Sequence, residues 1–303
     1  MSDKLKVNIA GVDFVNPLIA ASGTFGYGFE YSEFYDLSKI GGISLKGLTL
    51  LPKEGNDSPR IAETSSGILN SVGLQNPGVE DFLEYYLPTI KKFNTVLIAN
   101  IAGNSIEDYG KIAKRLTGSG VDMLEVNISC PNVKEGGMAF GVLPENVEAV
   151  TKEVKANTDL PVIVKLTPNV SDIRLNAKAA ENGGADAVSL INTLSGMAID
   201  YKTRRPILKN VNGGLSGPAV KPIALKMVWQ VYNTVEIPVI GMGGIMNYKD
   251  VLEFLICGAS AVQIGTANIY NPTAMPEIAE DLQRYFEENN LTIKDIKGSL
   301  KID

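Results

Sequence analysis

The stretch PVIGMGGIMNYKDVLEFLICGASAVQIGTAN, residues 238–268, carries the signature of a parallel α/β architecture. It opens on a short apolar run at 238–241 and breaks at consecutive glycines. It resumes as an amphipathic stretch at 249–257, then returns to a second apolar run at 261–264 that again ends on glycine. A strand buried on both faces reads as such an unbroken apolar run, and a helix between two of them makes a parallel βαβ unit. The same alternation predicts strands at 17–21, 42–46, 95–100, 122–128, 161–166 and 187–191, with helices at 106–116, 146–156, 173–181 and 219–232 among them. Eight such units in 303 residues predict an α/β fold, a (βα)8 TIM barrel that occupies residues 1–303 as one domain.

Ahead of the first unit, LKVNIAGVDF (5–14) alternates apolar and polar residues around Ala10-Gly11, the pattern of a small β-hairpin placed to plug the barrel floor. Two connections are longer than the rest, 49–78 after the second strand and 192–217 after the sixth. Both carry clusters of Gly, Asn and Ser and are expected to be functional loops at the C-terminal face.

Composition narrows the function. Acidic residues outnumber basic ones, 34 to 28, with no basic run, so nucleic acid is not an expected partner. No apolar stretch approaches the ~20 residues of a membrane span, and MSDKLKVNIAG does not read as a signal peptide, so the expected location is cytoplasmic, away from the membrane. The two cysteines, Cys130 and Cys257, are too few for a disulfide framework, and no metal site is expected. There is no histidine. Acid–base chemistry therefore falls to Cys, Lys, Tyr or a carboxylate.

Barrel enzymes carry their sites at the C-terminal ends of the strands. Those ends hold Ser22, Lys46, Asn100, Asn127 with Cys130, Lys165, Asn192 with Thr193, Gly243 with Gly244, and Gly265 with Thr266. IGMGGI (240–245) and IGTAN (264–268) close the seventh and eighth strands, where barrels recurrently bind phosphate on backbone N–H groups. NGGLSG (212–217) adds a third glycine-rich edge; the alternative is that these glycines only make tight turns. Lys46 and Lys165 each end an apolar run, and an ammonium in a buried mouth needs an anionic partner. A reduced flavin is one such partner, while a Schiff-base lysine and a strand-end lysine reaching out to water are the other readings. Cys130 precedes Pro131, which biases it towards an extended backbone and presents its thiol; its rival reading is an inert buried cysteine. Cys257, on an amphipathic stretch, takes that inert reading. Asn70, Asn127, Asn132 and Asn192, with Thr193, offer donors and acceptors together, as a cyclic imide requires.

These residues resemble the class 1 dihydroorotate dehydrogenases. The matching motifs are ASGTFGYG (21–28), SLKG (44–47), PRIAET (59–64), LNSVGLQNPG (69–78), NISCPNVKEGGMAFG (127–141), VKLTPNV (164–170), INTLSG (191–196), GGLSGPA (213–219), IGMGGI and IGTAN, spread over nearly the whole chain. The resemblance implies one FMN per chain, bound by Ser22, Lys46, Gly47, Asn100, Asn127, Lys165, Ile191, Gly217, Gly243, Gly244, Gly265 and Thr266. It implies a pyrimidine held by Lys46, Asn70, Ser71, Val72, Gly73, Leu74, Asn127, Asn192 and Thr193. Catalysis is expected from Cys130, Lys46 and Lys165: Cys130 takes the C5 proton of dihydroorotate, and hydride leaves C6 for the flavin on the opposite face. The loop at 131–141, with Gly136 and Gly137 as hinges, is expected to close over the site.

Cysteine as base marks class 1, since class 2 enzymes use serine behind an N-terminal extension that this sequence does not show. The long NVKEGGMAFG loop, IGMGGI and TRRPIL (203–208) resemble type 1B, the catalytic subunit that pairs with an iron–sulfur flavoprotein carrying FAD and a 2Fe-2S cluster and passes electrons to NAD+. The cluster is expected on the partner alone, because this chain has too few cysteines to hold it. The implied assembly is a homodimer of catalytic subunits within a heterotetramer. Gly47 departs from the Thr or Ala expected there, which leaves the backbone to make that flavin contact. Other readings are a fumarate-dependent type 1A enzyme, a dihydropyrimidine dehydrogenase module, a tRNA dihydrouridine synthase (against which the acidic balance argues) and a non-catalytic scaffold barrel.

Overall fold

A computed structural model describes residues 3–128 and 140–302. Eight parallel strands close into a barrel in chain order: β1 (Leu18–Ala20), β2 (Gly42–Ser44), β3 (Val96–Ile101), β4 (Met123–Asn127), β5 (Val162–Lys165), β6 (Ala187–Leu190), β7 (Val239–Met242) and β8 (Ala261–Ile264). Every strand expected from the apolar runs is present: five are one or two residues shorter, those expected at 95–100 and 238–241 are shifted by one residue, and 261–264 is unchanged. The main covering helices are α1 (Ile106–Leu116), α2 (Pro144–Ala156), α3 (Ile173–Asn182), α4 (Lys221–Tyr232), α5 (Tyr248–Ile256) and α6 (Ala274–Glu288). Ser105 caps α1 by accepting the Asp108 N–H at 3.2 Å, and Asn247 with Asp250 forms a capping box on α5.

Side chains alternate across each strand, so each strand feeds two cores. The outward residues, such as Leu124 and Val126 of β4 or Val162 and Val164 of β5, pack under the helices in the large cluster. The inward residues nearest the N-terminal ends, Ile19, Ile98, Met123, Ile163, Ala187, Ile240 and Ala261, form a second cluster with Ile9 and Phe14. Those two residues belong to the hairpin of Val7–Ile9 and Val12–Phe14, which therefore plugs the barrel floor as expected.

The long connections are more ordered than their glycine content suggests. Strands Ile61–Thr64, Gly67–Asn70, Asn212–Ser216 and Leu194–Met197 join into a four-stranded antiparallel sheet over the C-terminal face, and Ile199–Asp200 pairs with Arg205–Pro206 beside it. Gly213 and Gly214 interrupt the apolar alternation that signals a strand, yet the pairing register runs through them.

The barrel–helix core yields a direct test. Phe254 of α5 is fully buried against β7 and β8, and its truncation leaves a ring-sized void. Phe254→Ala is expected to lose about 3–5 kcal/mol in urea unfolding; a loss below about 1 kcal/mol shows that the helix layer is not packed as described.

Candidate active site

Above the plug, the inward face changes character. The next inward residues are Ser44, Asn100, Glu125, Lys165, Ser189 and Gln263, all buried, from six different strands or their ends. Glu125 sits at their centre with no solvent exposure. Its Oε2 accepts Ser44 Oγ–H at 2.7 Å and Asn100 Nδ2–H at 2.7 Å; its Oε1 accepts Ser189 Oγ–H at 2.8 Å and a short bond from Gln263 Nε2. Lys165 Nζ lies 3.5 Å from Glu125 Oε2 and 3.4 Å from Gln263 Oε1. Burial pushes the Glu125 pKa up, but the Lys165 ammonium and the hydrogen bonds from Ser44, Ser189 and Gln263 outweigh it and hold the carboxyl below its ordinary range.

This ring floors a cavity of about 640 Å³ at the C-terminal end of the barrel. The strand-end residues Ser22, Lys46, Gly47, Asn100, Asn127 and Lys165 line its lower wall. Ile191, Asn192 and Thr193 continue it beyond β6, and Asn70, Ser71, Val72, Gly73 and Leu74 close it from the upper sheet. Gly217, Gly243, Gly244, Gly265 and Thr266 form the opposite wall. Cys130, Pro131, Asn132, Gly136 and Gly137 lie outside the described residues. Cys257, at the end of α5, is half-buried, and burial pushes its thiol pKa up, the environment of an inert cysteine.

The glycine wall is a built concavity. Gly244 has φ +75°, and a Cβ there would come within 2.9 Å of the Gly217 carbonyl oxygen and 3.0 Å of Lys221 N. Only a residue without a side chain lets these three backbone segments meet. Asp250 fastens them: its Oδ2 accepts the Met246 and Asn247 N–H groups at 2.8 and 3.1 Å, and its Oδ1 takes Lys221 Nζ at 2.6 Å. Exposed backbone at a glycine turn beside a helix start suits phosphate.

The amide wall is differently equipped. Asn192 Nδ2 donates to Asn127 Oδ1 at 3.3 Å, and Asn192 Oδ1 accepts the Thr193 N–H at 2.8 Å, so the two side chains share one orientation. Asn56 holds the 70–74 segment through Ser71 O at 2.8 Å and through its own N–H to Val72 O at 3.0 Å. Lys46, half-buried, has no hydrogen bond or ion pair to its ammonium among the described residues, and burial together with the Arg60 guanidinium holds its pKa below the ordinary lysine value. At Gly47 a Cβ would stand 2.9 Å from Asn100 Oδ1 and 3.3 Å from Leu74 Cδ2. The glycine leaves room for the Asn100 amide.

Sequence reading missed Glu125 because it looked only at strand ends, where no carboxylate stands. The signal was available: Glu125 is two residues before Asn127 and so shares its inward face. Asn56, Asn169 and Gln263 also line the cavity unforeseen.

The buried pair generates a stability prediction. Glu125→Ala removes the carboxylate beside the buried Lys165 and is expected to cost about 3–5 kcal/mol at neutral pH. A carboxyl whose pKa is lower folded than unfolded adds its full stability above about pH 4.3 and loses it as the pH falls. The gap between wild type and variant in urea titrations should therefore narrow in acid; equal stability at pH 7 rules the pair out as a mainstay of the barrel.

Comparison with known proteins agrees with this architecture. The family described as dihydroorotate dehydrogenase matches residues 4–286. A protein of Thermoanaerobacter pseudethanolicus is 57% identical over 300 residues, covering 99% of this chain and 99% of its own length. One from Desulforamulus reducens is 58% identical over 292 residues, 96% of each chain, and one from a Geobacter species is 52% identical over 300 residues, 98% of each. All three are named dihydroorotate dehydrogenase B (NAD(+)), catalytic subunit. With a cavity of this build at the barrel mouth and a family match over most of its length, the chain belongs to the dihydroorotate dehydrogenase family.

Proposed function

We propose that this chain oxidises dihydroorotate to orotate for pyrimidine biosynthesis, as the FMN-binding catalytic subunit of a type 1B enzyme acting as one barrel domain in the cytoplasm. The observation that carries the reading is the cavity itself. It gathers, on one side, a glycine-built anion cradle and, on the other, two lysines among asparagines. That is the donor set for a phosphate-bearing flavin and an anionic imide. Its volume falls within the roughly 300–1,000 Å³ usual for cofactor sites.

The residues divide the work as follows. Gly217, Gly243, Gly244, Gly265 and Thr266 would hold the FMN phosphate, and Ser22, Gly47, Asn100 and Ile191 would hold the rest of the cofactor. Lys165, 3.5 Å from the Glu125 carboxylate, would set a positive charge beside the ring. Lys46 bridges ring and substrate and receives substrate negative charge. Asn127 and Asn192, locked together, orient the pyrimidine imide with Thr193 and the 70–74 segment. Cys130 takes the C5 proton as thiolate. FMN, when bound, supplies acceptance of the hydride from C6. A partner subunit carrying FAD and a 2Fe-2S cluster would take the electrons on to NAD+, in a heterotetramer built on a homodimer of this chain. The relatives' printed name, a catalytic subunit with NAD(+), supports such a partner.

Two outcomes test the reading. Under anaerobic conditions dihydroorotate should bleach the flavin of the purified protein; Cys130→Ala should stay yellow yet lose most turnover, and wild-type turnover should rise through an alkaline limb as the thiol ionises. Undiminished bleaching in the variant removes Cys130 as the base. The depressed pKa of Lys46 has its own consequence: orotate binds the ammonium form, so affinity should hold at neutral pH and weaken as pH climbs towards the lysine range. Calorimetric titrations of wild type and Lys46→Met across that range should show this limb only in the wild type.

A further inference from the structure

A carboxylate accepts hydrogen bonds and never donates them, so any amide that meets it must turn its nitrogen inward. Glu125 meets two, taking Nδ2 of Asn100 and Nε2 of Gln263. Their orientation follows from the chemistry of the partner. The oxygens are thereby sent the other way: Asn100 Oδ1 lies 2.9 Å from where a Gly47 side chain would begin, on the cavity wall, and Gln263 Oε1 faces Lys165 Nζ at 3.4 Å. The two serine hydroxyls, Ser44 and Ser189, occupy the remaining acceptor positions of the carboxylate and leave neither amide an alternative.

We propose that Glu125 is a positioning residue that sets the polarity of the cavity floor, turning the Asn100 amide oxygen outward so that the floor accepts an N–H from the ring bound above it. This rests on the reading of the cavity as a flavin site, and it adds a recognition element to it. Oxidised isoalloxazine carries a single ring N–H, at the N3 imide, and that is the donor the floor selects. Gly47 belongs to the same device, because any side chain there would press on the Asn100 oxygen. With Gln in place of Glu125, one end of the side chain becomes an N–H donor, and the partner it meets must accept. Asn100 can then turn over, offering its own N–H groups to a ring that needs an acceptor.

The test compares FMN with 3-methyl-FMN, which lacks the N3 proton, on the deflavinated full-length chain, followed by flavin fluorescence quenching. Wild type should prefer FMN by roughly tenfold or more, the worth of one buried hydrogen bond. In Glu125→Gln the affinity for FMN should fall while the preference collapses towards unity. A residue that merely supports the barrel would weaken both flavins equally and leave the ratio intact, which overturns the proposal; so does a loss confined to orotate. Wild type that binds neither flavin sinks the flavin reading itself, whereas wild type that binds both equally sinks only this inference. Should Glu125→Gln not fold, the wild type still decides: FMN labelled with 15N at N3 should show an imide proton protected from exchange and shifted downfield, and a freely exchanging one refutes the assignment.

Discussion

A charge that has left water must find all its solvation in the protein, and the carboxylate of Glu125 does so inside the barrel, ringed by side chains from neighbouring and opposing strands. The constraint is mutual. Lys165 sits in the cavity floor beside this countercharge, Asn100 and Gln263 owe their orientation to it, and Ser44 and Ser189 are spent on it. Below the ring the inward face is apolar and sealed by the hairpin; above it the face is cationic and open. The polar ring is the hinge between a part of the barrel that only packs and a part that binds.

That division follows from strand alternation acting on ordinary residues. In β4, Met123 contributes to the floor, Glu125 to the ring and Asn127 to the mouth, while Leu124 and Val126 face the helices. One strand thus serves stability and recognition by turns. Asn127 is held further by Tyr109 of α1, whose hydroxyl donates to its backbone carbonyl at 2.9 Å, so the helix layer reaches into the site.

The eight strands were legible because strands buried on both faces read as largely apolar runs, here separated by helix-length stretches. Their C-terminal ends then pointed to the mouth, and all predicted site residues among the described ones stand in its wall. Glu125 escaped because its reason for being there is tertiary: its partners come from five other strands or strand ends, and no local window contains them. The upper sheet escaped for a related reason. Its strand Asn212–Ser216 has glycines where propensity looks for β-branched residues, and it is stabilised by partners distant in sequence.

That upper sheet pairs Gly67–Asn70 with Asn212–Ser216, segments from opposite halves of the chain. Such pairing carries a large loop-closure entropy and becomes favourable only once barrel closure has brought the two connections together. The roof of the cavity therefore depends on the barrel beneath it, because only the closed barrel holds the two connections side by side. Ligand binding accordingly reports on completion of the whole fold.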